Sequence, residues 1–251
     1  MEPEINPKYR YFYREINQPD KQINLAKAAL YIAQEEYLDL EVDVYLNALD
    51  VMATEVEERL PVQRYPLRVI EVLNRYFYDD LGYIGNSSDY YDPRNSFLNE
   101  VIDRRTGIPI TLSLVYLEVA RRLDFPIIGI NMPGHFLLRP DFPDAGIFVD
   151  AFDCGEILFE KDCEERLTQI YGYQVQLQPS FLEPVSHRQL LARILRNLKL
   201  IYFNRQDIPR ALAAVERILL LFPDTPIELQ ELELLKYYNR LQSQPFSDFN
   251  A

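Results

Sequence analysis

Sulfur and imidazole are scarce in this chain of 251 residues, which carries only Cys154 and Cys163 and only His135 and His187. Two cysteines are too few for a disulfide framework, so both are expected to be reduced thiols. The spacing of positions 135, 154, 163 and 187 fits no compact zinc pattern, so neither a metal nor another cofactor is expected. Positive charge is also short: 26 Lys and Arg stand against 39 Asp and Glu, for a net charge of −13. Nucleic acid and anionic membrane surfaces demand a basic face, so neither is an expected partner. The acidic excess reads as a solubilising surface. No apolar run approaches the ~20 residues of a membrane span. The opening "MEPEINPKYR" lacks the basic start and apolar core of a secretory signal, so the expected compartment is the cytoplasm.

What the chain does have is apolar content, 48% of residues, enough to bury a substantial core. Residues 1–20 are polar and proline-bearing with the aromatic cluster "YRYFYRE", and read as an extended arm or a short helix that packs late. From Asn24 the pattern turns helical, with Leu25, Ala28, Ala29 and Ile32 on one face. Val42, Leu46, Leu49, Ala53 and Val56 mark a second amphipathic helix, and Leu67, Ile70, Leu73 and Phe77 a third, stopped near Gly82. Asp92 followed by Pro93 reads as an N-cap and first helical residue, opening a short helix to about Gly107. Pro109 opens another helix to about Leu123. Its apolar residues, from Ile110 to Val119, go nearly all round, as a central buried helix requires.

The period then changes. "FPIIGINMP", "HFLLRP" and "GIFVDAF" read as three sequential antiparallel strands, with "EILF" as a possible extension. A buried helix on a small sheet is an α+β arrangement. Beyond "QLQPSFLEPV" the chain is helical again, opened by a capping box at Ser186–Gln189. Helix, turn, helix, "FPDTP" and a further helix have the layout of a tetratricopeptide unit of about 34 residues. About one and a half units cannot stand as a free solenoid, since at least about three are usually needed. The predicted organisation is an arm over 1–20, a core over 21–180, and a helical segment over 181–251 packed on the core.

The stretch "YYDPRNSFLNEVIDRRTGIPITLSLVYLEVARRL", followed by "PGHFLLRP" and "FVDAFDCGEIL", resembles the bacterial SirB-type family, which joins a transglutaminase-like core to a tetratricopeptide tail. The likeness runs from about Ala28 to Phe222, and Asp124 stands where that family usually has glycine. The resemblance implies a papain-like α+β core. Active members of the wider superfamily use Cys, His and Asp in that chain order, the cysteine opening the buried helix and the other two on the next strands. A helix N-terminus favours a thiolate, a histidine takes its proton, and an aspartate orients the imidazole. By that resemblance His135 falls on the histidine position, Asp150 on the aspartate position, and Pro109 on the cysteine position. The relay pair is expected to be retained and the nucleophile lost.

Ser113, one turn on, and Cys154, close after Asp150, are the substitute nucleophiles to weigh; Thr111 points to another face. Asn95, Asn99, Arg104, Arg105 and Thr111 are expected to line or brace the cleft, with a salt-bridge network through Asp103, Arg104 and Arg105 as the plainer reading. His187 reads as a surface residue. The expected function is a protein-binding or regulatory module on a core without its nucleophile, with an unidentified protein partner. The alternatives are a peptidase, amidase or acyltransferase working through Ser113 or Cys154 with His135 and Asp150, and a structural subunit anchored by the Tyr-rich arm.

Overall fold

The computed structural model describes residues 6–142 and 145–243. The fold is α+β. The N-terminal arm is not extended: a 3-10 turn at Pro7–Tyr9 leads into helix α1 (Arg10–Ile16). Tyr9, Phe12 and Ile16 fall on one side of that turn and are buried, so the aromatic cluster is spent inside the molecule. Tyr11 alone of its tyrosines is well exposed, and it stacks on Tyr31. Helix α2 (Leu25–Ala33) starts where the Asn24 side chain accepts from the Lys27 amide. Its alanines let neighbours approach from nearly every side. Helices α3 (Val42–Glu57) and α4 (Pro66–Asn74) follow, α4 running on into a π-helical turn at Arg75–Asp80. Gly82, with φ +73, closes that element in a conformation glycine adopts without strain.

The helix expected from Asp92 to Gly107 is split. Asp92 caps a 3-10 turn, Pro93–Ser96, by accepting from the Arg94 amide. Phe97 is then extended, and α5 (Leu98–Arg104) ends at Arg105 with φ +53. Two residues of strand β1 (Ile84–Gly85) pair in parallel with β2 (Thr106–Gly107). Helix α6 (Pro109–Arg122) is central: Leu114, Val115, Tyr116 and Val119 have at most 1% of their surface exposed. Burial of each such side chain contributes roughly 1.5–3 kcal/mol. Asp124, just past its end, sits at φ +53, which accounts for glycine being usual at that position in the family this stretch resembles.

Strands β3 (Ile127–Ile130), β4 (Leu137–Pro140), β5 (Phe148–Asp150) and β6 (Glu156–Leu158) form one antiparallel sheet in sequential order, so "EILF" is a strand of its own. Strand alternation divides the side chains between two layers. Phe136, Leu138 and Val149 join the main core with α6, while Leu137, Phe148 and Leu158 join a smaller one with Cys163 and Leu167. Those last two belong to helix α7 (Glu160–Tyr171), which covers the sheet's second face. Sequence reading passed over α7 because its other residues are mostly polar.

Three helices complete the chain: α8 (His187–Asn204), α9 (Ile208–Leu221) and α10 (Pro226–Ser243). The Ser186–Gln189 capping box forms, and Asp20 adds to it from 167 residues away, its carboxylate accepting from the amides of His187 and Arg188 at 2.9 and 3.0 Å. Arg188 donates to the carbonyls of Ile16 and Gln18. His187 is therefore not a free surface residue: its ring Nδ1 lies 3.0 Å from the Ile23 carbonyl. Further on, Arg210 clasps Glu36 in a two-pronged pair, and Arg217 reaches the Ile32 carbonyl and Glu35. Arg193 of α8 bonds Asn131 and lies over the Phe136 ring.

Candidate functional site

His135 does not lie on a strand; it follows a tight turn and precedes β4. Its amide donates to the Met132 carbonyl at 3.0 Å, and Gly134 within the turn has φ +73. A Cβ on Gly134 would come within 2.7 Å of Ile170 on α7, so both backbone angle and space call for glycine. Asp150, the last residue of β5, is wholly buried, and His135 is 6% exposed. His135 Nε2 lies 2.7 Å from Asp150 Oδ2. The other carboxylate oxygen accepts from the amides of Phe152 and Asp153 at 3.0 and 3.3 Å. A carboxylate held by its own strand-end turn is fixed before the imidazole reaches it. With Asp150 as acceptor, the hydrogen sits on Nε2 and Nδ1 is left with a lone pair, a tautomer assigned from this bond.

Two contacts surround the pair. The His135 ring meets Phe152 edge to face, with centroids 6.2 Å apart, and Phe152 meets Tyr90 at the same distance. Arg166 of α7 stands 3.6 Å from Asp150 Oδ2 and closer to Asp153 and Glu156, at 3.2 and 2.6 Å. Sequence reading missed Arg166, since nothing near "KDCEERL" repeats a motif; the one available signal was the acid-rich "DAFDCGE" that it serves. The turn after Asp150 is held from behind. Asn74 donates to the Gly155 carbonyl at 2.7 Å, Tyr78 to the Ala151 carbonyl at 3.1 Å, and Tyr116 of α6 to Asn74 at 3.1 Å.

The side chains weighed as nucleophiles are all engaged or apart. Pro109 opens α6 and is buried. Thr111 Oγ1 accepts from the Ile108 amide at 3.2 Å and donates to the Asn95 carbonyl at 2.6 Å, which uses its one hydrogen. Ser113 Oγ is buried without a hydrogen-bond partner, so it makes none to His135. Cys154 is exposed at a turn with φ +49. Partial burial, and then Asp153, Asp79 and Asp150, raise its thiol pKa. Cys163 is buried and its thiol is pushed up to about 12, by burial first and then by Asp162 and Asp150. Among the described residues no hydrogen bond joins either sulfur to His135.

The polar residues ahead of α6 separate into different jobs. Asn95 is a knot: its amide donates to the Asp89 carbonyl, and its Oδ1 accepts from Asn86. Arg104 lies 3.8 Å from Asp92 and reaches Asn95 at 3.5 Å. The expected ion-pair network does not run through all three neighbours, for Asp103 accepts from Tyr45 and Arg105 donates to the Leu81 carbonyl. Asn99 faces a separate hollow beside the α2–α3 connection.

The arrangement offers a buried imidazole oriented by Asp150, with a lone pair left on Nδ1. A proton can be held there; no attacking group is bonded to it. Among the described residues no group of three His, Cys, Asp or Glu is placed to hold a metal ion, and no helix is long and apolar enough to cross a membrane.

Residues 43–196 match the model of the transglutaminase-like superfamily. A UPF0162 protein of Xylella fastidiosa strain 9a5c is 40% identical over 219 residues, covering 84% of this chain and 76% of that protein. A UPF0162 protein of Pseudomonas aeruginosa is 32% identical over 199 residues, 79% and 72% of the two chains. F-box only protein 21 of Mus musculus is 33% identical over 189 residues, 68% of this chain but 28% of that protein. No solved structure matches. With a family match spanning more than half its length, and a helix, histidine and aspartate in the order described above, the chain belongs to the transglutaminase-like superfamily.

Proposed function

We propose that this protein is a SirB-type, tetratricopeptide-tailed member of that superfamily that has lost acyl transfer and works as a protein-binding or regulatory module in the cytoplasm. The observation that carries the reading is the pairing of an ordered His135–Asp150 relay with a helix that opens on Pro109, a residue with no nucleophile. The proline suits the helix start it occupies, since its missing N–H has no partner there. A hydrolase acting through Ser113 would have to bring its hydroxyl out of the core. One acting through Cys154 would need a thiolate where burial and three carboxylates oppose one. The match to a 28% share of F-box only protein 21 is also in keeping with a core that serves as one part of a larger protein.

The experiment is thiol labelling at mildly acidic pH. In Pro109→Cys the substituted sulfur would stand at a helix N-terminus, where partial positive charge favours a thiolate. It should label at least ~10-fold faster than Cys154 or Cys163, the effect of about one pKa unit in thiolate fraction. His135→Ala in that background should remove the excess. Rapid labelling of the unmodified protein at Cys154, abolished by His135→Ala, would overturn the reading in favour of a relocated nucleophile.

A further inference from the structure

Strand β3 lies at the edge of its sheet, and its outer side is only half covered. The register with β4 says which backbone groups face outward. Ile128 stands opposite Arg139 and Ile130 opposite Leu137, and the Asp141 amide donates to the Pro126 carbonyl at 2.9 Å. These alternate residues bond β4, so Ile127 and Gly129 between them turn their amides and carbonyls the other way. Gly129 shows the direction: its carbonyl accepts from the Val185 amide at 3.0 Å, beside a bridge between Ile130 and Pro184. After Val185 the chain leaves for α8. Ile127 is left with an N–H and a C=O on the open side, and no described residue bonds either from that side.

Ile127 lines a groove of about 980 Å³ between the β3 edge, the end of α6 and the start of α8, a volume at the upper end of ligand sites. Ile23, Leu25, Leu117 and Phe125 supply its apolar wall. The Ile127 side chain packs against the main core, and a residue paired with it would place its own side chain on that same face. Exposed Asp124 and Asp141 lie at the end where β3 begins, and neither is in an ion pair among the described residues. Arg121, by contrast, is already paired with Glu118 at 3.0 Å, and Lys21 stands at the other end, next to the Asp20 that caps α8. A segment continuing in the direction of Pro184–Val185 runs antiparallel to β3 and heads toward the two aspartates.

We propose that this groove takes an extended segment of a protein partner as a short antiparallel strand on β3. An aliphatic residue of that segment exchanges both backbone hydrogen bonds with Ile127, and lysine or arginine two or three residues later meets Asp124 and Asp141. Main-chain bonds to a free sheet edge supply the affinity, and the alternating side chains supply the choice of partner. The inference goes beyond the lost-nucleophile reading and does not depend on it, because neither His135 nor Pro109 lines the groove.

The test uses the full chain and the acetylated, amidated peptide Gly-Thr-Ile-Thr-Lys-Lys-Gly, titrated while backbone amide signals are followed by NMR. Two counterparts run in parallel: one N-methylated at its isoleucine, which removes the donor to the Ile127 carbonyl, and one with Glu in place of both Lys. Saturable movement of the Ile127 amide signal and slower exchange of its hydrogen are expected with the parent peptide. N-methylation should weaken binding ~10-fold or more, and so should the Glu replacements. Asp124→Asn/Asp141→Asn, in which asparagine tolerates the left-handed backbone at 124, should weaken the parent peptide ~5-fold or more. Glu71→Gln/Glu233→Gln, on distant helices, should change it less than ~2-fold. Sedimentation without peptide should give a monomer. A dimer with the Ile127 amide already protected would assign the edge to a second copy and overturn the proposal. Equal binding of the N-methylated peptide, equal loss in both variants, or an unmoved Ile127 signal would each overturn it as well.

Discussion

The backbone of Gly85 lies directly against Phe152: a Cβ on Gly85 would stand 2.5 Å from the Phe152 carbonyl oxygen and 2.7 Å from its ring. Strand β1 thus sets how close the turn after Asp150 can come, and Phe152 in turn contacts the His135 ring.

Gly85→Ala should therefore destabilise by about 1–3 kcal/mol through overpacking, and should also disturb the imidazole. Gly82→Ala is the control. Nothing lies within 4 Å of its added carbon, but its φ is +73, so about 1–2 kcal/mol of backbone strain is expected with no effect at the site. Urea unfolding of both variants, with His135 ring resonances as second readout, separates them. Unchanged His135 signals in Gly85→Ala would mean that Phe152 does not set the imidazole's surroundings.

The clasp between Asp20 and the start of α8 predicts a capping effect across the whole chain. Asp20→Ala should cost about 0.5–2 kcal/mol, the usual scale for losing a helix cap. The loss should appear as faster amide exchange at His187 and Arg188. Exchange confined to α1 would show that α8 relies on Ser186 alone.

Glu35 gives the fold a pH dependence of its own. Burial pushes its pKa from 4.5 up to about 7, while Arg217 and Lys8 pull the other way and Glu216 and Glu36 add to the rise. The folded state therefore holds a proton that the unfolded chain releases. That stability is complete below about 4.5 and is lost as pH climbs through about 7, by up to roughly 3 kcal/mol. Glu35→Gln should match the parent near pH 5 and exceed it at pH 8. Denaturant midpoints at the two values decide; a variant that is less stable at pH 8 would show that the Arg217 pair outweighs the burial.

Some of this was legible in the residues. The apolar girdle from Ile110 to Val119 announced a central helix, Pro109 its first residue, and Pro, Gly and Asp punctuation the strands. Ser186 and Gln189 announced the start of α8. Other features had no local signature. Helix α7 buries Cys163 and Leu167 only, too few for a stripe to stand out. The extended Phe97 interrupts a pattern that reads as continuous helix, because its ring packs on Tyr37 from a distant segment. At the site, His135 and Asp150 could be marked from motif order. Arg166 and Asn74 could not, since each owes its place to the turn it holds rather than to its neighbours in sequence.

The clasp also orders events during synthesis. Residues 16–23 find their partners at His187 and Arg188, more than 160 positions later. Residues 16–23 cannot complete these contacts until the start of α8 has been made, and long-range closure of this kind is slow. Without α8, Asp20 and the carbonyls of Ile16, Gln18 and Ile23 lose the partners they bond at His187 and Arg188.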